Sequence, residues 1–168
     1  AQEPNGHYYC SLCCTDVEFE QLPKTNKNVG IDLGIYDFAI LSDGIKIEDP
    51  QFYEQSEKKL KKLQRELSRK TIGSARWEKA RLKVAKLQKH IANQRNDFLQ
   101  KLTTIIVSNY DVIAIEDLNV KEMKETDSKI RNKRVGDVSW SEFRRMLTYK
   151  SQWYGKELSV IDRYYPSS

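Results

Sequence analysis

Two carboxylates stand where a buried strand would ordinarily carry none. Asp32 lies between Ile31 and Leu33 in the apolar run Val29-Gly30-Ile31-Asp32-Leu33-Gly34, and Glu116 closes a second run, Asp111-Val112-Ile113-Ala114-Ile115-Glu116. A charge inside a buried run costs several kcal/mol unless a cation or hydrogen bonds compensate it. If the two runs are neighbouring parallel strands, both acids emerge at one sheet edge, within reach of one hard divalent cation. Mg²⁺ or Mn²⁺ is the ion such a pair implies. The chemistry it suits is phosphodiester cleavage, in which two metals ~4 Å apart stabilise the attacking water and the leaving oxygen. Each acid alone is weak evidence, because strand-terminal carboxylates often cap a loop or pair with a lysine. Asp162 is a third acid at a strand end; it is either a substitute ligand or, more ordinarily, the partner of Arg163 or a loop lysine.

Beside these acids lies a strongly basic block. The chain has 168 residues and a net charge of +5, but residues 51–102 hold fifteen Lys and Arg against five Asp and Glu, leaving a mildly acidic remainder. Leu60, Leu63 and Leu67 recur at helical spacing, and after Gly73-Ser74 the series resumes as Ala80, Val84, Leu87, Ile91, Phe98 and Leu102. Gly73 supplies a reversal and Ser74 an N-cap, so residues 51–107 read as an inserted hairpin of two long antiparallel helices zipped by a narrow apolar seam. The bland alternative is a solvated hairpin whose lysines keep it soluble. A threefold excess of cations exceeds what surface ion pairs need, and favours a phosphate-tracking arm. Its contact residues are Lys58, Lys59, Lys61, Lys62, Arg65, Arg69, Lys70, Arg76 and Arg81.

These features need a frame to position them. Val29–Gly34, Tyr36–Leu41 and Ile45–Ile47 read as three successive antiparallel strands, with Asp43-Gly44 as the tight turn between the last two. Asp111–Glu116 follows a helix, so it pairs parallel with the first strand. Ser139–Tyr154 forms an amphipathic helix with Trp140, Phe143 and Leu147 inward, and Glu157–Ile161 a last strand. Lys121–Val138 has little apolar periodicity and reads as a mobile loop near the site. The order βββ-α-β-α-β gives an α/β, ribonuclease H-like mixed sheet whose first three strands are antiparallel.

Residues 28–168 form that domain, and residues 1–27 read as the tail strand of a preceding one, His7–Val17, with a linker. Cys10, Cys13 and Cys14 have C-x-x-C spacing, but in a strand residues 10 and 13 point to opposite faces, so they read as core cysteines and not as a metal clip. Trp77 and Trp153 either pack inward or stack on bases; each sits in a helical pattern, which favours packing. No stretch approaches the ~18 apolar residues of a membrane span. With no signal or targeting pattern, the expected compartment is the cytoplasm, and the ends read as cut.

Gly30-Ile31-Asp32-Leu33-Gly34 also matches the first phosphate loop of actin, sugar-kinase and chaperone ATPases, but those need a second phosphate loop that a chain with seven glycines does not offer. A different family fits more of the residues. The run from Val29 to Ala39, the basic hairpin, Ile115-Glu116-Asp117-Leu118-Asn119-Val120, Trp140-Ser141-Glu142-Phe143-Arg144 and Asp162-Arg163-Tyr164-Tyr165-Pro166-Ser167-Ser168 occur in that order. Together they resemble the transposon-encoded OrfB/TnpB family. The resemblance implies a RuvC-type nuclease related to type V CRISPR effectors, which cuts DNA under an RNA guide by in-line attack of metal-activated water, leaving a 5′-phosphate. It carries Asp32 over as the first RuvC acid and Glu116 as the second. It also implies a four-cysteine ribbon holding Zn²⁺ and a third acid beyond Ser168, so that this chain is expected to be a catalytic-core fragment weak on its own. A non-catalytic DNA- or RNA-binding module on the same scaffold is the alternative.

Overall fold

The computed structural model describes residues 1–34, 36–117 and 139–162. Their elements run β1 (Asn28–Leu33), β2 (Asp37–Leu41), β3 (Lys46–Glu48), α1 (Phe52–Ser68), α2 (Ala75–Asn109), β4 (Val112–Glu116), α3 (Trp140–Tyr154) and β5 (Glu157–Ile161). The described residues form two compact units: residues 1–17 with 51–97, and residues 18–50 with the chain from Phe98 onward. The loop expected over 121–138, together with Leu118–Val120 and Arg163, lies outside the described residues.

In the second unit a five-stranded sheet has the order β3-β2-β1-β4-β5. β1 pairs antiparallel with β2 and parallel with β4, and β5 pairs parallel with β4. The strand period of two decides which face is buried. Val29, Ile31 and Leu33 of β1 and Ile113 and Ile115 of β4 turn to one face and are all less than 8 % exposed. Phe98 to Tyr110 of α2 and the apolar stripe of α3 cover that face. A register shift between Asp37 and Ala39 lets the consecutive residues Phe38 and Ala39 both be buried. Phe38 then meets Phe98 and Phe143 edge to face, at 5.3 and 5.1 Å between centroids. Gly34 is required between β1 and β2, since a Cβ there would stand 2.8 Å from the Asp37 carbonyl oxygen. The Asp43-Gly44 turn forms with Gly44 at φ +91°.

Two lysines pin the unit from inside. The Lys156 ammonium, 1 % exposed, donates to Asp111 Oδ1 at 2.6 Å and to the Pro23 carbonyl at 2.8 Å. Asp111 also accepts the Thr25 and Asn26 backbone N–H groups, which draws the stretch before β1 onto the sheet. Lys150 Nζ donates to the Gln100 carbonyl, Thr103 Oγ1 and Thr104 Oγ1, each at 2.8 Å, tying α3 to α2. Burial pushes the Lys150 amine below its ordinary pKa.

In the first unit α1 and the start of α2 zip along Leu60, Val84, Leu87 and Ile91, with Leu63 and Leu67 packed alongside. Ser74 caps α2 as expected: its Oγ accepts the Trp77 N–H at 3.1 Å.

Three expectations are corrected. His7–Val17 forms no strand; the only pairing among the first seventeen residues is an isolated bridge between Gln2 and Tyr8. Extended backbone with no neighbouring ladder has nothing to hold it as a strand. Cys10, Cys13 and Cys14 are consequently exposed, because there is no sheet face for them to bury against. Trp153 is 40 % exposed and stacks flat on Phe19, 4.3 Å between centroids at 8°, whereas Trp77 is half-buried. No helix among the described residues is long and apolar enough to cross a membrane.

Candidate metal centre and nucleic-acid interface

The parallel register of β1 on β4 pairs Ile31 with Ile115. Continued by one residue, it sets Asp32 beside Glu116. Alternation turns both side chains away from the buried face, onto the side where Gly30 and Ala114 leave the floor low. Asp32, Glu116 and Asp162 all line one open cleft of about 520 Å³, with Ser42 and Ile161 on its walls. Ile161 is the register partner of Glu116, and Asp162 follows it just past the end of β5.

The reason for singling out Asp32 changes. It is exposed, so no burial cost marks it. The sequence run reads as a strand covered on both faces, but among the described residues helices cover only one, and residue 32 falls on the other. Glu116 is half-buried. Among the described residues no group of three or more His, Cys, Asp or Glu side chains is placed to hold a metal ion. Asp32 and Glu116 are neighbours on adjacent strands, and Asp162 lines the same cleft. Two carboxylates are a sufficient anchor for Mg²⁺, which keeps several waters and takes one or two carboxylates.

Glu116 also borders a second cavity of about 280 Å³, whose walls include Trp140, Ser141, Arg144 and Arg145 from α3. Sequence reasoning missed these arginines, and also Ser42, whose Oγ accepts the Gly30 N–H at 3.0 Å. The pair Arg144-Arg145 one turn into a helix was the available signal.

On the hairpin, Lys58, Lys59, Lys61, Lys62, Arg65, Arg69, Lys70 and Arg76 are exposed around the seam. Lys61 pairs with Glu57 one turn away at 2.9 Å. Arg81 has structural duties: it bonds Glu78 Oε2 at 2.9 Å and the Pro4 carbonyl at 3.2 Å.

Comparison with known proteins adds the lineage. The chain is 43% identical over 163 residues to a Streptomyces pristinaespiralis protein named "Putative RNA-guided DNA endonuclease", covering 97% of this chain and 40% of that protein. It is 34% identical to the Escherichia coli K12 protein named "Putative RNA-guided DNA endonuclease InsQ", covering 96% of this chain and 44% of that one. The chain thus spans about two fifths of the length of these curated relatives. A cryo-EM structure of a Cas12f1–sgRNA–target DNA complex shares the fold at TM-score 0.56 and 14% identity, over 86% of this chain and 30% of that one. A Cas12f ternary complex does so at TM-score 0.55 and 16% identity, over 92% of this chain and 31% of that one. Residues 140–168 match the model of the Cas12f1-like TNB domain. Residues 11–127 match the OrfB_IS605 model, described as a probable transposase, and the chain belongs to that OrfB_IS605 transposase family.

Proposed function

We propose that the chain is the RuvC-type, ribonuclease H-like catalytic sheet of an RNA-guided DNA endonuclease, with guide RNA and DNA as its partners. The observation that carries this is the register of β1 on β4, which sets Asp32 and Glu116 side by side on the open face of one cleft. Asp32 and Glu116 hold Mg²⁺ or Mn²⁺, and Asp162 lines the same cleft. When bound, the cation supplies an activated water and charge stabilisation at the phosphoryl group. The two carboxylates fix the ion against the sheet, and the low floor at Gly30 and Ala114 admits a sugar-phosphate chain. The exposed cations from Lys58 to Arg76 track nucleic-acid backbone, since they form a one-sign surface with few acids among them. The names of the relatives support the RNA-guided assignment, and the titles of the Cas12f complexes support the partners.

The test is Mn²⁺-dependent cleavage of end-labelled single-stranded DNA by this chain and by Asp32→Ala. The reading expects weak cleavage that disappears in the variant. Cleavage of equal rate in both refutes it. A second reading, a binding module without catalysis, is favoured by the lack of a three-acid group among the described residues. It expects salt-sensitive binding, no cleavage and no effect of either acid.

A further inference from the structure

The hairpin ends in a turn whose apex is an isoleucine. Ile72 is 81 % exposed, although the residues on both sides of it are locked in place. The Ser74 N–H donates to the Thr71 carbonyl at 3.1 Å, and Gly73 stands between them at φ +83°, the positive value that the third position of a type II turn requires. Ser74 Oγ donates to the same carbonyl at 2.7 Å and accepts the Trp77 N–H at 3.1 Å, which fastens the turn to the start of α2. On the other side the Lys70 N–H closes α1 on the Leu67 carbonyl at 3.0 Å. Isolated apolar residues are common on protein surfaces, and exposure alone says nothing. This one is a β-branched side chain with restricted χ1 on a rigid mount, at a place where turn chemistry favours proline or a polar residue. Cations surround it. No acid occurs between Glu66 and Glu78, whereas Arg69, Lys70 and Arg76 lie in that stretch and are exposed. Lys58, Lys62, Arg65 and Arg69 recur at helical spacing along α1 and its C-cap, so one line of positive charge, opposite the seam of Leu60, Leu63 and Leu67, runs up to the turn.

We infer that the hairpin tip is a wedge for double-stranded DNA: Ile72 inserts between two base pairs while Arg69, Lys70 and Arg76 take the phosphates on either side. The inference rests on the nucleic-acid reading of the hairpin and adds how its end engages the base stack. A cationic surface is satisfied by phosphates and needs no apolar group at its apex. An apolar side chain flanked by Lys and Arg unstacks a base step, because the base faces take it out of water and the cations hold the backbone that the kink displaces. The rigid mount matters, since a loose loop would lose conformational freedom on insertion. Single strands are held by stacking on aromatic rings, and residues 69–74 contain none, so a branched aliphatic tip suits a duplex step that it prises open. Steps that unstack easily, such as TA, suit the wedge better than a stiff A-tract.

The experiment uses the whole chain without divalent ions, so that binding is read apart from cleavage. A short DNA duplex carries 2-aminopurine at a central TA step; its fluorescence, quenched by stacking, reports insertion, and the anisotropy of an end label reports binding. The fluorescence is expected to rise as the chain binds, and to rise less with the same base inside an A-tract. Ile72→Ala and Ile72→Lys are both expected to lose the rise, and because Ile72 is exposed both keep the fold. Ile72→Lys should still bind, with the slope of log K on log salt steeper by about 1. Ile72→Ala should change affinity by less than about tenfold, because burial of the isoleucine and unstacking of the step oppose each other. Duplex binding with no rise, or a rise that survives in Ile72→Lys, overturns the wedge and leaves the backbone-tracking arm standing. Binding of single strands alone does the same. A rise confined to an RNA duplex overturns the assignment to DNA, and no binding of any nucleic acid at low salt overturns the arm together with its wedge.

Discussion

Replacing Asp32 by Asn removes one charge from a two-charge site, and the structure fixes what that should do. Hydrogen-bonded neighbours such as β1 and β4 lie about 4.8 Å apart. The Ile31–Ile115 register places the two following carboxylates on adjacent strands and the same face, so the proposed cation would be shared by both. Two carboxylates with the remaining positions hydrated put the dissociation constant on the order of 1 mM. At about 10 mM Mn²⁺ the folded state is then favoured by about 1.4 kcal/mol, which raises Tm by about 3–6 °C for a chain of this size. A divalent ion about 4 Å from a unit charge in a water-like dielectric gains about 2 kcal/mol, so loss of one carboxylate weakens binding about thirtyfold. The residual stabilisation is about 0.2 kcal/mol, a shift of less than about 1 °C. Scanning calorimetry with and without Mn²⁺ measures this directly. Glu116→Gln should lose the shift as completely, and the double variant should lose no more, because both residues serve one ion. Asp162→Asn should keep most of it, since no three-acid group forms among the described residues. Full retention of the shift in either Asp32→Asn or Glu116→Gln would refute the shared site.

Reversing Lys58, Lys59, Lys61 and Lys62 to Glu should flatten the dependence of log K on log salt for single-stranded nucleic acid by about 3, measured by fluorescence anisotropy; an unchanged slope moves the contact off α1. Phe143→Ala empties a fully buried site that holds Phe38 edge-on, and urea denaturation should show a loss of about 3–5 kcal/mol. The Asp111 carboxyl is held well below the ordinary carboxylate range, first by the Lys156 ammonium and then by the Thr25 and Asn26 N–H groups. A depressed folded pKa gives stability that is fully present above the unfolded value near ~4 and is lost as pH falls towards the folded one. Asp111→Asn should therefore flatten the acid limb of the Tm–pH curve below about pH 5, and an unaltered limb would mean the pair is not coupled to folding.

Much of this molecule is local and was open to reading from the chain. Alternating apolar residues around Ile31 and Ile115, the helical seam of Leu60, Val84, Leu87 and Ile91, the Ser74 cap and the Asp43-Gly44 turn each depend on neighbours a few residues away. The acids at 32 and 116 were also visible, as was the basic block, because charge and spacing need no fold to be counted. What stayed hidden depends on which surfaces meet. A run of apolar residues does not say whether one face or both are covered, so Asp32 reads as buried, whereas the structure leaves it exposed with the helices of the described residues on the other face. Cysteine composition cannot tell a strand with a partner from extended chain without one, and Cys10, Cys13 and Cys14 lie exposed. The meeting of Asp32, Glu116 and Asp162 at one cleft, and of Glu116 with Trp140 and Arg144 at another, joins residues up to 130 positions apart. Strand register and helix packing decide such meetings, and the energies that choose them are summed over the whole core and written in no single segment.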